Sequence, residues 1–410
     1  MPQPARLLDL TRLVSRLGKG PLTGVDRVEL AWAEHLLQGD AMGIPLFALV
    51  RLRAGFALLG SGGVAAIVAQ AQGRSALPEA DLLARLMRRD DPARARAETL
   101  LRGHAIARCL PFGLASMLAR YLPPGTAYFN MGHANLAPRV FAAQRGPRLV
   151  LLHDTIPIDF PEFTRPDIPA VFARKLAAIS AGADLVIHST AAARAASERH
   201  LMQAGRVPPG IVAPLGVVVA APGAFHLPGL DPSRPWFVTI GTIEPRKNHA
   251  LLLDVWQGLA ARLPADAMPQ LVIAGSRGWS NAAVFARLDT RPPHVIEAPG
   301  LGDSALSGLQ AGSQGLLFPS FAEGYGLPPA EAAALGVPVF ASPLAAVREV
   351  LGDYPVYLDN TDSYSWMETI ERAVTAGRPT DRQCFAVRGG RRPWVPPTWD
   401  SHFNTVLKAV

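Results

Sequence analysis

The stretch GLLFPSFAEGYGLPPAEAAAL, residues 315–335, decides the fold class of this chain. Its first five residues form an apolar run that predicts a buried strand of a parallel sheet, and Glu331 lies in a helical pattern. Between them, Gly324 and Gly326 let a ligand approach the backbone closely. A helix start presents unpaired amides and a partial positive charge. The stretch therefore predicts an α/β fold with a phosphate or sugar site at a sheet edge.

Two carboxylates, Glu323 and Glu331, stand eight residues apart around this glycine turn. Glu323 lies at the mouth of the strand, and Glu331 lies about two turns into the helix, where its side chain can reach a ribose. One carboxylate of such a pair could bind the nucleoside of a sugar diphosphate and the other could bind the sugar. The simpler interpretation is a solvated acidic loop with a helix-capping Glu.

A second strand end supplies positive charge. Residues 237–248, FVTIGTIEPRKN, place Arg246 and Lys247 between an apolar run and the helical pattern HALLLDVWQGLAARL. Open α/β sheets bind ligands at the edge where their strands end. Arg and Lys neutralise a departing diphosphate as a planar fork and as a point charge. An exposed helix start is the alternative interpretation of an adjacent Arg and Lys.

In the order and spacing of these motifs the chain resembles the GT-B glycosyltransferases, specifically the retaining family 4 (glycosyl transferases group 1), which uses nucleotide sugars. The EPRKN turn is similar to that of one subgroup. The matching pieces are GTIEPRKN at 241–248, AGSRGW at 274–279, FPSFAE at 318–323 running into Glu331, and GVPV at 336–339 followed by Glu349. Thinner matches upstream are TGVDR at 23–27, NMGH at 130–133, LHD at 152–154 and the segment 183–189.

The resemblance implies a role for each matching residue. It implies that Glu323 contacts the transferred sugar, that His153 faces the donor sugar and that Lys247 binds the diphosphate, which makes these three the predicted catalytic residues. The predicted donor-binding residues are Arg246, Lys247, Gly324, Tyr325, Gly326, Leu327, Glu331 and Gly24. The predicted acceptor-binding residues are Asn130, His133 and Asp154. The structural alternatives are a buried His153 bonded to backbone, and turn formation by Asn130 and His133.

The chemistry that these residues predict centres on the leaving group. A nucleoside diphosphate gains charge as it departs, and Arg246, Lys247 and the glycine-loop amides can stabilise that charge without a metal. No DxD-type metal pair occurs in the matched regions, so no cofactor is expected beyond the GDP- or UDP-linked donor substrate. The resemblance implies retention of anomeric configuration. Thr242 stands where many members carry Arg, and Arg246 is expected to supply that charge.

The order of elements predicts two α/β halves, and the resemblance implies the GT-B arrangement of two Rossmann-like doubly wound domains facing across a cleft. The first five strands are predicted at 6–13, 44–50, 127–130, 148–153 and 185–189, in an acceptor-binding domain over 1–222. A linker rich in Pro and Gly follows at 223–235. The nucleotide-sugar domain, 236–392, has strands at 236–242, 270–275, 295–297, 315–318 and 338–341. Residues 393–410 form a tail and a helix that the resemblance implies crosses back to the first domain.

Composition and charge agree with a cytoplasmic protein of two domains. The chain has 410 residues, 49% of them hydrophobic, enough for two cores. Two cysteines build no disulfide framework, and no signal peptide or membrane span is visible. Between Asp81 and Leu122 eight arginines outnumber four acids, and leucines recur at helical spacing. The pattern of residues 81–122 therefore predicts either peripheral membrane contact or a soluble helix with a solvated face. The sequence contains no recognisable nucleic-acid-binding module, so no nucleic-acid partner is expected.

The predicted function is transfer of a mannose-like sugar or deoxyhexose from a nucleotide diphosphate to a glycan or lipid-linked glycan, in synthesis of a bacterial capsule or lipopolysaccharide. A nucleotide-sugar epimerase or oxidoreductase would need G-x-G-x-x-G after the first strand, and Gly18, Gly20 and Gly24 lack that spacing. A non-catalytic GT-B scaffold protein would be expected to lose Glu323, Lys247 or Glu331, all of which are present.

Overall fold

The computed structural model of the protein describes residues 4–88, 90–375 and 394–410. In this part of the chain strands and helices alternate in two successive halves, each built on its own sheet. The first half contains β1 (Arg6–Asp9), α1 (Thr11–Arg16), α2 (Gly24–Ala41), β2 (Leu46–Leu52), β3 (Gly55–Gly60), α3 (Ser61–Ala71), α4 (Leu82–Met87), α5 (Pro92–His104), β4 (Ala105–Cys109), α6 (Leu114–Tyr121), β5 (Ala127–Asn130), α7 (Pro138–Ala142), β6 (Arg148–Leu151), α8 (Ile156–Asp159), α9 (Ile168–Gly182), β7 (Leu185–His188), α10 (Ala191–Gln203) and β8 (Gly210–Val212).

The second half repeats the alternation. It contains β9 (Trp236–Ile240), α11 (His249–Ala260), β10 (Gln270–Ala274), α12 (Ala282–Asp289), β11 (Val295–Glu297), α13 (Asp303–Ala311), β12 (Gly315–Phe318), α14 (Leu327–Ala334), β13 (Val339–Ala341), α15 (Ala345–Leu351), β14 (Val356–Tyr357) and α16 (Ser363–Thr375). A C-terminal helix, Trp399–Leu407, follows. The predicted domain ends at 392 and 393 lie outside the described residues.

The strand order of each sheet shows where a ligand can bind. The first sheet runs β4-β3-β2-β1-β5-β6-β7-β8 and the second runs β11-β10-β9-β12-β13-β14. Apart from β3, which is antiparallel to both its neighbours, the paired strands of the described residues are parallel. In such sheets ligands bind beyond the carboxyl ends of the strands, where the order reverses. Those reversal points are β1/β5 and β9/β12, which confirms the predicted doubly wound α/β class.

The first predicted strand was too long. We expected it to span residues 6–13, but β1 ends at Asp9 and helix α1 begins at Thr11. The Asp9 carboxylate accepts a hydrogen bond from the Thr11 amide at 3.0 Å, which turns the chain out of the sheet. Leu13 is buried in the core from this helix rather than from a strand. An apolar run that continues from a strand into a helix hides the boundary between them.

Strands β3 and β4 extend the first sheet beyond the predicted strands. Gly55, at φ 157°, makes this extension possible, because a Cβ there would lie 1.9 Å from the Cys109 carbonyl oxygen. A side chain at that position would therefore separate β3 from β4. The close approach depends on a contact between residues distant in sequence, which local patterns do not reveal.

The basic segment 81–122 is not one amphipathic helix. The described part contains the helices α4, α5 and α6 and the strand β4. Several of its cations are paired: Arg88 with Glu98 at 2.7 Å and Arg102 with Asp81 at 2.6 Å. Helix α4 nevertheless leaves Leu82 85% exposed and Leu86 67% exposed. In the described residues no helix has the length and apolarity that crossing a membrane requires.

The C-terminal helix packs on the first half of the chain. Trp32 of α2 donates its indole N–H to His402 Nε2 at 3.2 Å, and its ring meets Phe403 edge to face, with centroids 4.9 Å apart. Trp399 lies against Gly216, where a Cβ would be only 2.4 Å from Trp399 Cγ. This is the crossing back to the first domain that the resemblance implied.

Substituting Gly216 with Ala tests how strongly this contact holds the helix. The new methyl group overlaps Trp399, so we expect the free energy of unfolding to fall by about 1–3 kcal/mol, measured by urea denaturation. Gly103→Ala is the control, because nothing lies within 4 Å of that position in helix α5. That variant should be unchanged or more stable by up to about 1 kcal/mol. Equal stability of the two variants would contradict tight packing at Gly216.

Candidate active site

The glycine turn between β12 and α14 lies against the first half of the chain. Gly326 is left-handed, with φ 93°, and helix α14 starts directly after it. A Cβ on Gly324 would lie 2.5 Å from the His153 carbonyl oxygen, so only glycine fits this approach. The Tyr325 hydroxyl donates to the Leu215 carbonyl at 2.8 Å. These contacts bring the turn to the carboxyl edges of both sheets.

Two cations share one carboxylate next to this turn. Lys247 Nζ and Arg246 Nη1 each lie 2.7 Å from Glu323 Oε1. Arg246 also bonds the Ala322 carbonyl at 2.7 Å and the Glu244 carboxylate at 2.6 Å. Both cations follow β9 and Glu323 follows β12, so the sheet order itself assembles the cluster. We call Glu244, Arg246, Lys247 and Glu323 the charge cluster.

Glu323 and Lys247 are almost inaccessible to water, and the charges around them act on the pKa of each side chain. Burial acts to raise the pKa of Glu323, but Arg246 and Lys247 outweigh it and lower this pKa to about 2. For Lys247 burial is the larger effect and lowers the pKa, and Glu323 opposes it. Glu323 is therefore an anion at neutral pH, able to accept hydrogen bonds but carrying no proton to donate.

Neighbouring residues define the position of the Lys247 side chain. Gly241, at φ 138°, leaves room for the side chain, because a Cβ there would lie 3.2 Å from Lys247 Cε. The ammonium lies 4.7 Å from the centre of the Phe318 ring, a cation–π contact. The next residue, Asn248, is left-handed and begins helix α11. Lys247 is thus held at the reversal point of the second sheet.

Glu331 does not face open solvent. Arg27 of helix α2 reaches across from the first half, and its Nη1 lies 2.6 Å from Glu331 Oε1. The start of α2 is close as well, since a Cβ on Gly24 would lie 3.1 Å from Leu327 Cδ1. The structure therefore brings Gly24, Leu327 and Glu331 together, and their contacts with a donor remain predictions. Arg27 was not predicted, because its partner is 304 residues away in sequence.

His153, which is buried, and His133, which is partly buried, form a pair at the edge of the first sheet. Their ring centroids are 5.0 Å apart, and the His153 amide lies 3.1 Å from His133 Nε2. His153 Nε2 lies 2.7 Å from the Met131 carbonyl, which can only accept, so this nitrogen carries the proton. Burial lowers the pKa of His153 to about 4 and that of His133 well below its usual value. Both imidazoles are neutral at neutral pH.

Asn130 is fully buried and belongs to a network that the sequence analysis did not predict. Its amide donates to the Tyr128 hydroxyl at 2.9 Å and to the Ala134 carbonyl at 2.5 Å. Tyr128 in turn donates to the Asp9 carboxylate at 3.0 Å, and Asn135 donates to the same oxygen at 2.8 Å. The network joins the ends of β1 and β5 and fixes the turn that carries His133.

Asp154 lies between the two halves. Its carboxylate accepts from the Ile156 amide at 3.1 Å, which shapes the start of α8. Burial raises its pKa, and the positive charge of Arg246 opposes that effect. Asp154 is thus electrostatically coupled to the charge cluster, whereas the predicted acceptor contacts of Asp154, His133 and Asn130 remain predictions.

Glu29 is a buried carboxyl group that no motif singled out. It lies on helix α2, and a Cβ on Gly132 would be 2.1 Å from its Oε1, so Gly132 makes room for it. Neither carboxyl oxygen has a hydrogen-bond partner among the described residues. Burial, with a contribution from Asp9, raises the pKa of Glu29 well above its ordinary value.

Metal ligands do not cluster in the part of the chain that the structure describes: no three His, Cys, Asp or Glu side chains come together in a way that would hold an ion. Metal independence of the reaction remains a prediction.

The family match lies in the second half of the chain. Residues 234–376 match the protein family described as Glycosyl transferases group 1. O-antigen chain mannosyltransferase B of Escherichia coli is 35% identical over 127 residues, 30% of this chain and 32% of that protein. Serotype-specific mannosyltransferase WbdA of Escherichia coli is 29% identical over 185 residues, 43% of this chain and 21% of that protein. The chain spans about a third or less of the length of these two relatives.

Solved structures match nearly the whole chain. Anabaena Alr3699/HepE in complex with UDP-glucose superposes with a TM-score of 0.58 at 16% identity, over 99% of this chain and 100% of that one. Sucrose-phosphate synthase (tll1590) from Thermosynechococcus elongatus superposes with a TM-score of 0.61 at 14% identity, over 98% of both chains. At these identities the likeness shows the fold alone.

Substituting Glu29 with Gln tests the protonation of the buried carboxyl. Because the pKa of Glu29 is higher in the folded state than in the unfolded state, protonation of Glu29 stabilises the folded protein, and this stabilisation is complete at pH values below the unfolded-state pKa. The stabilisation is lost as pH rises through the folded-state pKa. We therefore expect the stability of Glu29→Gln, relative to wild type, to increase as pH rises above about 4.5, measured by urea denaturation between pH 4 and 9. Glu79→Gln, at an exposed position, is the control and should show no such trend. A constant difference for Glu29→Gln across this range would contradict the raised pKa.

Proposed function

We propose that this chain, which has the GT-B fold and matches the glycosyl transferases group 1 family over residues 234–376, transfers a hexose from a nucleotide diphosphate to a glycan or lipid-linked glycan. We further propose that the transfer retains anomeric configuration and needs no metal. The proposed setting is bacterial surface polysaccharide synthesis, which the names of the two relatives above support: both are mannosyltransferases, and one is an O-antigen chain enzyme. The EPRKN subgroup remains a prediction.

The charge cluster carries this proposal. A transferase of this kind must bind a diphosphate and stabilise the negative charge that develops on it. Lys247 and Arg246 place two cations at the reversal point of the second sheet, and the start of helix α14 presents amides beside them. Glu323 contacts both cations, so a bound diphosphate would share them with that carboxylate.

Each site residue has a role that follows from its protonation. Glu323, an anion at neutral pH, can accept hydrogen bonds from hydroxyl groups of the transferred sugar. His153 is neutral, and its Nε2 proton is bonded to Met131, which leaves Nδ1 as an acceptor. Both groups are weak bases, because the pKa of Glu323 is lowered to about 2 and that of His153 to about 4, so we expect the departing phosphate to take the proton of the acceptor hydroxyl. The acceptor would approach from the edge of the first sheet, where His133 and Asp154 lie.

The donor is proposed to be linked to GDP, with a mannose-like sugar, because the two relatives described above are named mannosyltransferases. A UDP-linked sugar is the second candidate, since a structure of the same fold is described as a complex with UDP-glucose.

Replacing Lys247 with Ala tests the diphosphate assignment. Loss of one preorganised cation should lower kcat/KM for the donor by at least about a hundredfold, measured as release of GDP or UDP from GDP-mannose or UDP-glucose with a lipid-linked glycan acceptor. Circular dichroism would establish that the variant is folded. Lys408→Ala, at an exposed position, is the control and should retain full activity. Near-normal turnover by folded Lys247→Ala would refute the diphosphate assignment.

A separate measurement tests metal independence. Loss of wild-type activity in EDTA would refute it.

A peripheral membrane contact is a second proposal, supported by helix α4. Its Leu82 and Leu86 side chains project into solvent and Arg85 lies between them, with 59% of its side chain exposed. Apolar groups flanked by cations suit an anionic lipid surface. Such a contact would bring a lipid-linked acceptor to the first half of the chain.

Charging this face tests the membrane contact. The double substitution Leu82→Glu and Leu86→Glu should abolish co-flotation with vesicles that contain anionic phospholipid, because it removes apolar area and adds repulsion. Met202→Glu, on the exposed face of α10, is the matched control and should float like wild type. Equal flotation of all three proteins, or flotation of none, would rule out α4 as the contact.

A further inference from the structure

Arg27 connects three separate segments of the chain. Its Nη1 lies 2.6 Å from Glu331 Oε1 on helix α14, and its Nη2 donates to the Val218 carbonyl at 3.4 Å. The residue itself is on helix α2, in the first half. The contact between these two helices is therefore made by opposite charges across the space between the halves.

The start of helix α2 holds Arg27 in this direction. The Thr23 amide and hydroxyl both donate to Asp26 Oδ2, at 2.8 Å and 2.6 Å, which closes the first turn. Asp26 is fully buried and is also paired with Arg12 at 2.9 Å. Because Asp26 is already occupied by these partners, Arg27 is free to extend toward α14.

Glu331 needs a cation where it lies. Only 10% of its side chain is exposed, and burial raises its pKa, an effect that the Arg27 charge opposes. An ionised carboxylate left alone at such a site would be costly. Arg27 bonds Oε1, whereas a carboxylate has about four acceptor positions, so Oε2 and the remaining lone pairs stay available for hydroxyl groups.

We propose that Arg27 is a positioning residue, which holds the Glu331 carboxylate charged and oriented for the ribose hydroxyls of the donor nucleotide when the two halves are together. The inference rests on the proposed function, since it assumes a nucleotide donor with its ribose at Glu331. It adds that recognition of the ribose is shared between the halves. Nucleotide binding to the second half is then linked to contact with the first, because each stabilises the same ion pair.

The test compares nucleotides that differ only in ribose hydroxyls. Isothermal titration calorimetry of the full chain is run with GDP and UDP and with their 2′-deoxy and 3′-deoxy forms. Wild type should bind at least one deoxy form about tenfold more weakly than the corresponding ribonucleotide, the loss expected of one hydrogen bond to a charged group. Arg27→Met should lose that discrimination, binding the ribonucleotide about as weakly as the deoxy form.

Three further variants separate positioning from simple structural damage. Arg27→Lys keeps a charge and should restore part of the discrimination. Glu331→Gln should lose it, and adding Arg27→Met to Glu331→Gln should cause no additional loss, because the two residues act as one unit. Arg287→Ala, which removes a 2.7 Å ion pair with Asp254 inside the second half, should discriminate like wild type.

The outcomes distinguish this inference from the proposed function. Wild type that binds neither GDP nor UDP refutes the nucleotide-donor proposal and this inference with it. Wild type that binds a nucleotide without regard to its ribose hydroxyls refutes the ribose assignment at Glu331. If wild type and folded Arg27→Met distinguish the ribonucleotide from its deoxy form equally well, the role of Arg27 is refuted. The proposed donor site is not affected by that result.

Discussion

Glu323 carries its negative charge inside the protein because Arg246 and Lys247 both contact the same carboxylate oxygen. Taking three charges out of water is expensive, and only close pairing offsets the cost. The pairing fixes the ends of β9 and β12 relative to each other, and with them the glycine turn that leads into α14. A site held by buried ions keeps its geometry before any ligand arrives, which is the requirement for electrostatic catalysis. Because of this pairing, Arg246 and Lys247 already have an anionic partner. A diphosphate must therefore interact with them at least as favourably as Glu323 does.

Much of the site could be predicted because its residues follow strand ends. Glu323 and Lys247 lie in the loops that follow buried parallel strands, and the sheet order places those strands side by side. The contacts that could not be predicted join segments far apart in sequence. Arg27 meets Glu331 across 304 residues, and Asp9 meets Asn135 across 126. Nothing in the local pattern around Arg27 distinguishes it from an ordinary arginine on the exposed face of a helix.

The strand predictions also succeeded where the signal was local in sequence and failed where it was not. Strands with a continuous apolar run, such as β12 and β10, were predicted with the right type and nearly the right bounds. The error at β1 arose because Asp9 ends the strand through its own side chain, while the apolar pattern continues into helix α1. Strands β3 and β4 depend on the Gly55 contact with Cys109, which only the folded chain brings together. Local periodicity therefore defines strands with a continuous apolar run well, and it misses strands whose pairing depends on contacts between distant residues.

The two halves meet through polar contacts as well as packing, and this bears on how the site works. Glu349 of α15 accepts hydrogen bonds from the amides of Ala191 and Ala192 at the start of α10, at 2.6 Å and 3.0 Å. Arg27 and Glu331 pair on the other side of the glycine turn. Under the proposed function, ribose hydroxyls that bind at Glu331 would act on one of the ion pairs that join the halves. The charge cluster, in contrast, is assembled within the second half, from residues that follow β9 and β12. Donor binding would therefore be coupled to contact between the halves through Glu331 rather than through Arg246 and Lys247.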